Sequence, residues 1–446
     1  MQHKRYRYLI ITSFVLLIAV FLMVGCTQPT ADNPQETTAP QVPTELDNPP
    51  NDVLPPISSL SDDEILNYVN EVMSSFPGFQ FRITEHIRAE EDDTKDIMTM
   101  ETEGEGKPGD DLLQRIHFTG DYLSLDGITI ETRIVCNQAY NLNPVTGTWD
   151  IVAGSPYESD SPVVMLLNGQ LILEDMQILD EGDLNKPACC IIGNPQGESS
   201  ITSIKMWIDP FNYFASKLEI ASSTPLSQPP WNGLLIQEWE LQPLEEAVTV
   251  NIPDGLPPPV SMLPSTTIIE MPDTNQLLDM ILKQLSPGMG QYNVVAPTTN
   301  VPMLYFTELL NIEEEHKFSE YIIQRLNKGD YDFSELVNQL LELNREPISL
   351  TLTSSQENGY LIDYDDEFNR YPKQDPMVFW EQWHEDNPQA FGYAHISIPV
   401  TDARTGYVLV YVDVSWGALA ASGDIITYRY WEGKLYRTDT VNTFKS

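Results

Sequence analysis

The sequence predicts an α+β fold made of two domains, residues 58–262 and 291–446, joined by a linker with a short helix in residues 263–290. Three observations support this prediction. Stretches of the first domain alternate between apolar and polar residues, which is typical of strands with one buried face. A few segments instead repeat apolar residues at helical spacing. In the second domain the helical segments come first and the strand-like segments follow, an order typical of α+β proteins.

The first domain opens with a predicted helix. Ser61 and Glu64 form a capping box, and apolar residues follow it at helical spacing. From Phe79 onward the period changes to two, and strand-like stretches recur as far as residue 252. Residues 143–147 predict a hairpin turn, and residues 162–171 predict a second helix. We therefore expect a long antiparallel meander that carries a few helices.

The second domain begins with predicted helices and ends with predicted strands. The linker helix carries Leu277 and Ile281 on one side, and two later helices carry Phe318 and Leu336, the second of them capped by Asp332. The strands expected after them are residues 348–352, 360–364, 395–400, 407–414, 425–430 and 435–438, with a hairpin turn at Glu432 and Gly433 before the last.

The N-terminus has the pattern of a lipoprotein signal peptide. Three cationic residues precede an apolar run, residues 9–24, that ends in Gly25 and Cys26. A small residue before the cysteine resembles the lipobox, so we expect cleavage after residue 25 and acylation of Cys26 with fatty acids such as palmitate. The alternative, an uncleaved membrane-spanning helix, is less favoured because the run is shorter than the roughly 20 residues that a span requires.

Residues 26–57 are predicted to form a flexible tether behind the acylated cysteine. Residues 27–57 contain eight prolines and neither a cation nor an aromatic residue, so this segment lacks the apolar surface that folding requires. As a flexible coil it spans roughly 30 Å. The chain would thus be held on the outer face of the cytoplasmic membrane, in the extracytoplasmic cell envelope, with its first domain clear of the lipid headgroups.

The chain is strongly acidic, with a net charge of −42. An anionic surface of this kind disfavours nucleic acid and anionic headgroups as partners, because both repel it. We therefore expect no nucleic-acid partner and contact with the membrane only through the N-terminal acyl anchor. The acidic surface also serves solubility, and that simpler interpretation is the preferred one.

Three further cysteines, Cys136, Cys189 and Cys190, leave an odd number for pairing outside the cytoplasm. One disulfide and one remaining thiol are expected. Cys189 and Cys190 are adjacent on a predicted strand, where neighbouring side chains point to opposite faces. Only one of them can therefore lie beside Cys136, and either assignment is open.

Two segments of the first domain resemble a known group of bacterial lipoproteins. Residues 139–149 carry Tyr, Pro, Gly and Trp across a hairpin, and residues 204–209 end a strand in Trp, Ile and Asp before the return strand at residues 217–220. These motifs resemble the LolA-like and LppX/LprG-like lipoprotein carriers over about residues 58–255. The resemblance implies a curved antiparallel sheet, a half-barrel, with covering helices on its concave side and an apolar cavity between the two.

The candidate cavity lining, chosen by alternation, comprises apolar residues of the predicted strands: Phe79, Phe81, Ile83, Ile204, Met206, Ile208, Leu218, Ile220, Leu234 and Ile236. The alternative interpretation of each position is an ordinary core residue.

The sequence contains none of the common catalytic motifs, so we expect no enzyme, no catalytic residues and no cofactor. Two Glu-x-x-His pairs, Glu313 with His316 and Glu381 with His384, have helical spacing, but the further glutamates of a di-metal bundle are not expected here and no metal is predicted. The acidic run at residues 363–367 is interpreted as a solvated turn. The remaining residues considered are the single histidines His86, His117 and His395 and the aromatic set Phe379, Trp380, Trp383 and Phe391, a core or a binding ledge.

The leading hypothesis is a non-enzymatic, membrane-anchored lipoprotein whose first domain binds an apolar ligand, either a lipid or the acyl chain of a lipoprotein. Shape and desolvation would provide the binding. The second domain would pack on the first or recruit a protein partner. The alternative is an envelope protein for protein–protein interaction or sensing, with a fully packed first domain.

Overall fold

The computed structural model describes residues 55–89, 92–107, 111–119, 127–136, 138–152, 161–180, 189–195, 201–225, 232–288, 290–299, 315–327, 331–354, 356–371, 375–418 and 420–445. These residues fall into two compact units. The first contains the described residues within 1–134, 144–146 and 155–251, and the second contains those within 135–143, 147–154 and 252–446. Cys26 and the predicted tether up to residue 54 lie outside the described residues.

Nine described strands of the first unit form an open sheet, in the order β4-β3-β2-β1-β11-β10-β9-β8-β7. They are β1 (Phe79–Ala89), β2 (Asp92–Gly106), β3 (Leu112–Thr119), β4 (Thr129–Val135), β7 (Leu173–Asp180), β8 (Cys189–Pro195), β9 (Ile201–Ile208), β10 (Ala215–Pro225) and β11 (Asn232–Pro243). The chain starts at the centre with β1, runs outward to β4, and returns from the other edge, β7, to pair β11 with β1 in antiparallel register. Strands β5 (Gln138–Leu142) and β6 (Trp149–Val152) pair with each other and belong to the second unit.

The two faces of this sheet differ in polarity because side chains alternate along each strand. One face, called here the inner face, carries the buried apolar rows, with Phe81 opposite Leu241 and Ile83 opposite Trp239. The outer face carries ion pairs between neighbouring strands, such as Lys217 with Glu238 at 2.8 Å. Polarity of this kind is what the alternation in the sequence predicts, and the expected open antiparallel sheet is confirmed.

Helix α1 (Asp62–Ser75) packs on the inner face. Its predicted capping box is present, since the Ser61 hydroxyl accepts a hydrogen bond from the Glu64 amide and the Glu64 carboxylate accepts one from the Ser61 amide. Near its end, the Met73 sulfur lies 3.4 Å from the Ala215 amide at the start of β10. Helix α2 (Pro162–Leu167) packs beside α1 and is shorter than predicted.

The second unit contains a mixed sheet in the order β13-β12-β14-β16-β17-β18, with β15 beside β16. Its strands are β12 (Tyr292–Val295), β13 (Tyr360–Ile362), β14 (Ala390–Ile396), β15 (Val400–Asp402), β16 (Tyr407–Gly417), β17 (Ala420–Trp431) and β18 (Lys434–Lys445). Two details differ from the sequence prediction. Strand β12 was not expected and runs parallel to β13 and β14. The expected strand at residues 348–352 forms only one isolated bridge, from Ser349 to Thr298.

In the described part of the second unit there are four α-helices: α3 (Thr274–Gln284), α4 (Glu315–Leu326), α5 (Ser334–Leu343) and α6 (Pro376–Asp386). Helix α3, which the sequence analysis places in a linker, buries Leu277, Leu278 and Ile281 in a core cluster with strands of this sheet. Helices α4 and α5 belong to a separate cluster with Tyr407 and Leu409. The α+β class predicted for the C-terminal part is confirmed.

Candidate functional site

Eight of the ten predicted lining residues lie on the inner face and are at most 4% exposed. They are Phe79, Phe81, Ile83, Ile204, Met206, Ile208, Leu218 and Ile220. The register brings them together from three parts of the chain, because β1 pairs with β11, β11 with β10, and β10 with β9. At this end of the sheet the inner face is filled by its own side chains and by the helices that cover it.

Leu234 and Ile236 lie on the outer face, which corrects the sequence prediction for β11. Their partners across the strand pair are Arg88 and His86, two residues of the charged face. The inward residues of β11 are the odd-numbered ones, beginning with Leu235, which lies opposite Ile87. Alternation alone cannot choose between the two faces here, because Leu234, Leu235 and Ile236 are all apolar.

The helices are shorter than the strands that they cross. Helix α1 has 14 residues, about 21 Å at 1.5 Å per residue. Strand β11 has 12 residues, about 40 Å at strand spacing. Helix α2 adds only six residues. Within the described residues, these two helices are therefore too short to cover the inner face along its whole length. Helix α1 ends near Phe79, since Phe76 packs against Phe79 at 5.8 Å between ring centroids, and the far part of the face is the end of β1 at Ala89.

In that far part, a group of inner-face side chains is only half-buried, and we call this group the inner patch: Ile87, Met100, Ser222, Leu235 and Gln237. Ile87 lies directly opposite Leu235, and Leu235 directly opposite Ser222. Along β1, the buried inner residues Phe79, Phe81 and Ile83 are followed by Glu85 and then by the half-buried Ile87. The patch differs from the predicted lining in every residue.

Glu85 lies at the border between the filled part and the inner patch. It occupies an inner position of β1, between Met100 on β2 and Gln237 on β11, and is only 7% exposed. The Gln237 side-chain amide donates a hydrogen bond of 2.5 Å to Glu85 Oε1. Burial raises the pKa of the Glu85 carboxyl above its ordinary value of 4.5, and the hydrogen bond from Gln237 opposes part of that rise.

Glu85 was not among the predicted site residues, although the sequence contains a signal for it. Phe79, Phe81, Ile83 and Ile87 repeat with a period of two, and Glu85 falls in phase with them. A carboxylate in the apolar phase of a strand is rarely left without a role, since burying its charge is costly.

A separate cleft of about 470 Å³ lies where the N-terminus of α1 meets β7. Its lining is Ser61, Asp62, Asp63, Leu173, Asp175 and Met176. With three carboxylates around it, this cleft is acidic and contains none of the ten predicted lining residues. It is therefore a different feature from the apolar cavity that the sequence analysis expects.

The cysteines have different surroundings in the structure. Cys136 is exposed and has a positive φ of 47° after β4, whereas Cys190 is buried in β8. The side chain of Cys189 lies outside the described residues, and the disulfide stays a prediction. Within the described part of the chain, none of the helices has the length and apolar character needed to cross a membrane.

The residues considered for metal binding do not assemble into a cluster in the part of the chain that the structure describes, where no three His, Cys, Asp or Glu side chains form a metal-binding group. Glu313 and the side chain of His316 lie outside that part, whereas Glu381 and His384 lie on α6. In the acidic run, Asp363 accepts hydrogen bonds from the amides of residues 367 and 368, so this run is a capped turn.

The single histidines have partners that the sequence does not reveal. His86 lies 2.8 Å from Asp96, and His117 lies 3.0 Å from the Thr129 hydroxyl. His395 Nδ1 lies 2.9 Å from Asp413 Oδ1, whose side chain is almost fully buried. Each pair joins neighbouring strands, so these histidines are cross-strand contacts.

The aromatic set belongs mainly to a core. Phe379, Trp380 and Trp383 are buried in a cluster with Phe368, and Phe391 is partly exposed against Trp416 at 6.0 Å between ring centroids. This cluster favours the core interpretation over the binding ledge for the three residues on α6.

Several solved structures are similar to part of this chain. LprF from Mycobacterium bovis is 11% identical, with a TM-score of 0.28, and the match covers 43% of this chain and 95% of LprF. LppX from Mycobacterium tuberculosis is 16% identical, with a TM-score of 0.27, and the match covers 43% of this chain and 100% of LppX. A LolA superfamily protein from Nitrosomonas europaea is 10% identical, with a TM-score of 0.20, and the match covers 44% of this chain and 96% of that protein.

LppX and the LolA superfamily are the groups that the hairpin and strand motifs of the first domain resemble. No family model and no curated protein matches the sequence.

Proposed function

We propose that this chain is a membrane-anchored extracytoplasmic lipoprotein whose first unit binds an apolar ligand, a lipid or a lipoprotein acyl chain, without catalysing a reaction on it. Binding takes place on the inner face of the first unit's sheet, at the inner patch.

The observation that carries this proposal is the change in burial along the inner rows. Beneath α1 the row on β1 is closed, with Phe79 fully buried. Further along the same strand, Ile87 is half-buried beside the half-buried Leu235. An apolar row that leaves the core while keeping its direction offers a surface along which an alkyl chain can lie.

Desolvation provides the binding energy in this mechanism. Removing apolar surface from water contributes about 0.8 kcal/mol for each methylene group buried. An alkyl chain with roughly ten buried methylenes would gain on the order of 8 kcal/mol, from which the cost of ordering ligand and side chains is subtracted. Covering the apolar side chains of the patch with the ligand contributes further favourable free energy, because their surface is also removed from water.

The anchor and the charge of the chain are consistent with work near a membrane surface. Acylation at Cys26 would hold the protein on the outer face of the cytoplasmic membrane. Its net charge of −42 would keep the folded units from lying on anionic headgroups. In this proposal the second unit either recruits a protein partner or supports the first unit.

Native mass spectrometry tests the binding of an apolar ligand. Residues 27–446, which lack the signal peptide and the acylated cysteine, would be expressed and purified without detergent. We expect a bound lipid mass that is released at higher collision energy. Leu235→Gln places a polar group in the inner patch and should lower lipid occupancy several-fold.

Ile236→Gln is the matched control, because it makes the same kind of change one residue away on the outer face. It should leave lipid occupancy unchanged. Equal loss in both variants would contradict binding at the inner patch. The alternative function is an envelope interaction or sensor lipoprotein, and the tight packing around Phe79 and Met206 is the observation that supports it. A protein that is free of lipid and copurifies with another protein would favour this alternative.

A further inference from the structure

Helix α6 and the strand ends beside it leave large apolar side chains exposed next to a packed core. Met377 and Val378, on the first turn of α6, are 68% and 45% exposed, and Phe391 on β14 is 37% exposed. Trp383 of the same helix is instead buried in the cluster with Phe368. Since that cluster forms without the three exposed side chains, their apolar surface is available for contact with another molecule.

These exposed side chains belong to one continuous surface. Met377 and His384 are about two helical turns apart and therefore share a face of α6. His384 packs against Trp380 with 5.6 Å between ring centroids, and its Nε2 lies 3.4 Å from the carbonyl oxygen of Trp416 at the end of β16. The half-buried Trp416 ring in turn stacks on Phe391 at 6.0 Å. We call this surface the α6 ledge and define it by Met377, Val378, His384, Phe391 and Trp416.

The ledge has a rim of carboxylates. Four of them are exposed on α6 or directly before it: Asp375, Glu381, Glu385 and Asp386. Neither lysine nor arginine occurs in residues 374–403. Among the described residues, the ion pairs of the chain involve other carboxylates. The ledge is therefore an apolar surface with an acidic rim.

The acidic rim decides which occupant fits the ledge. A second copy of this chain would bring the same carboxylates together across a two-fold contact, and anionic headgroups would be repelled. A protein segment that carries lysine or arginine beside apolar side chains complements both parts of the surface. Its apolar side chains would cover Met377 and Phe391, and its cations would lie against Glu381 and Glu385.

We propose that the α6 ledge is the docking surface for a protein partner that presents a basic amphipathic segment. This inference rests on the proposed function and deepens it, because it assigns the recruitment of a partner to a named surface of the second unit. Burial of the apolar side chains drives the association, and the rim selects partners of positive charge and speeds the encounter.

A synthetic helical peptide of leucine and lysine, with its leucines on one face and a fluorescein label, is the probe for the apolar part of the ledge. Fluorescence anisotropy measures its affinity for residues 27–446. Met377→Ser combined with Phe391→Ser should weaken binding by about tenfold or more, the scale of losing central apolar anchors. Ile268→Ser is the matched control and should leave the affinity unchanged, because Ile268 is 85% exposed in the same unit but is not a ledge residue.

A second pair of variants tests the rim. Glu381→Gln combined with Glu385→Gln removes two negative charges beside the ledge and should weaken binding of the leucine–lysine peptide several-fold. Glu245→Gln combined with Glu246→Gln removes the same charge from exposed positions of the first unit and should have little effect. A peptide with glutamate in place of lysine should not bind. Circular dichroism of each variant verifies that the fold is intact.

Several results would overturn the docking surface. One is an equal affinity of the parent and the Met377→Ser, Phe391→Ser protein for the leucine–lysine peptide, and another is no binding by the parent. Binding to phosphatidylcholine vesicles that this variant loses would assign the ledge to a membrane. A dimer in sedimentation velocity that this variant loses would assign the ledge to a second copy of the chain.

Native mass spectrometry separates this inference from the binding of an apolar ligand by the first unit. We expect the Met377→Ser, Phe391→Ser protein to lose peptide binding and to keep the lipid occupancy of the parent. Absence of lipid from the parent would contradict the apolar ligand and leave the docking surface standing.

Discussion

At the scale of single residues, one carboxyl determines much of the character of the inner face. Glu85 is buried in an inner row of the sheet and accepts a hydrogen bond from Gln237. The pKa of this carboxyl is raised, so the folded protein binds a proton more tightly than the unfolded chain does. Stability must then fall as pH rises from the ordinary glutamate pKa of 4.5 through the raised value in the folded state.

We therefore expect Glu85→Gln to change the pH dependence of stability. Below pH 4.5 the carboxyl is protonated in both states, and parent and variant should differ least. Above that pH the parent loses stability relative to the variant, because only the parent has to ionise a buried group or keep a proton bound. Urea unfolding between pH 4 and pH 7 measures the difference. A constant gap between the two proteins would show that Glu85 has an ordinary pKa.

At the scale of secondary structure elements, α1 closes part of the inner face, and its first turn depends on one hydroxyl. Ser61 accepts a hydrogen bond from the Glu64 amide and completes the capping box. Three acidic residues in the first turn add a favourable interaction with the helix dipole.

Ser61→Ala should lower the free energy of unfolding by about 1 kcal/mol, the usual value of an N-cap side chain. The matched control is Ser75→Ala at the other end of the same helix, where the exposed hydroxyl donates only to the Val72 carbonyl. Alanine favours helix formation at that position, so we expect little change. Equal losses in both variants, measured by urea unfolding, would rule out the cap as the cause.

At the scale of the whole molecule, an acidic chain is expected to reach its membrane only through the lipid at Cys26. Cys26→Ser should abolish palmitate incorporation and leave the signal peptide uncleaved, because cleavage requires the lipid on the cysteine, whereas Cys136→Ser should be labelled and cleaved like the parent. High salt should not release the acylated protein from the membrane fraction, because alkyl chains and not charges hold it. Metabolic palmitate labelling, immunoblotting and fractionation measure these outcomes. Palmitate incorporation into the Cys26→Ser protein would contradict the anchor.

The start of α1, the start of β1 and the polarity of the sheet could be predicted from the sequence. The capping box predicts where α1 begins, and the alternation that starts at Phe79 predicts a sheet with one apolar face, because these signals depend on residues a few positions apart. Strand pairing was needed to identify the inward face of β11, since Leu234 and Leu235 are equally apolar and the register with β1 selects one. It also brought Gln237 to Glu85, 152 residues away in the chain, because strand register is a long-range property that local periodicity does not contain.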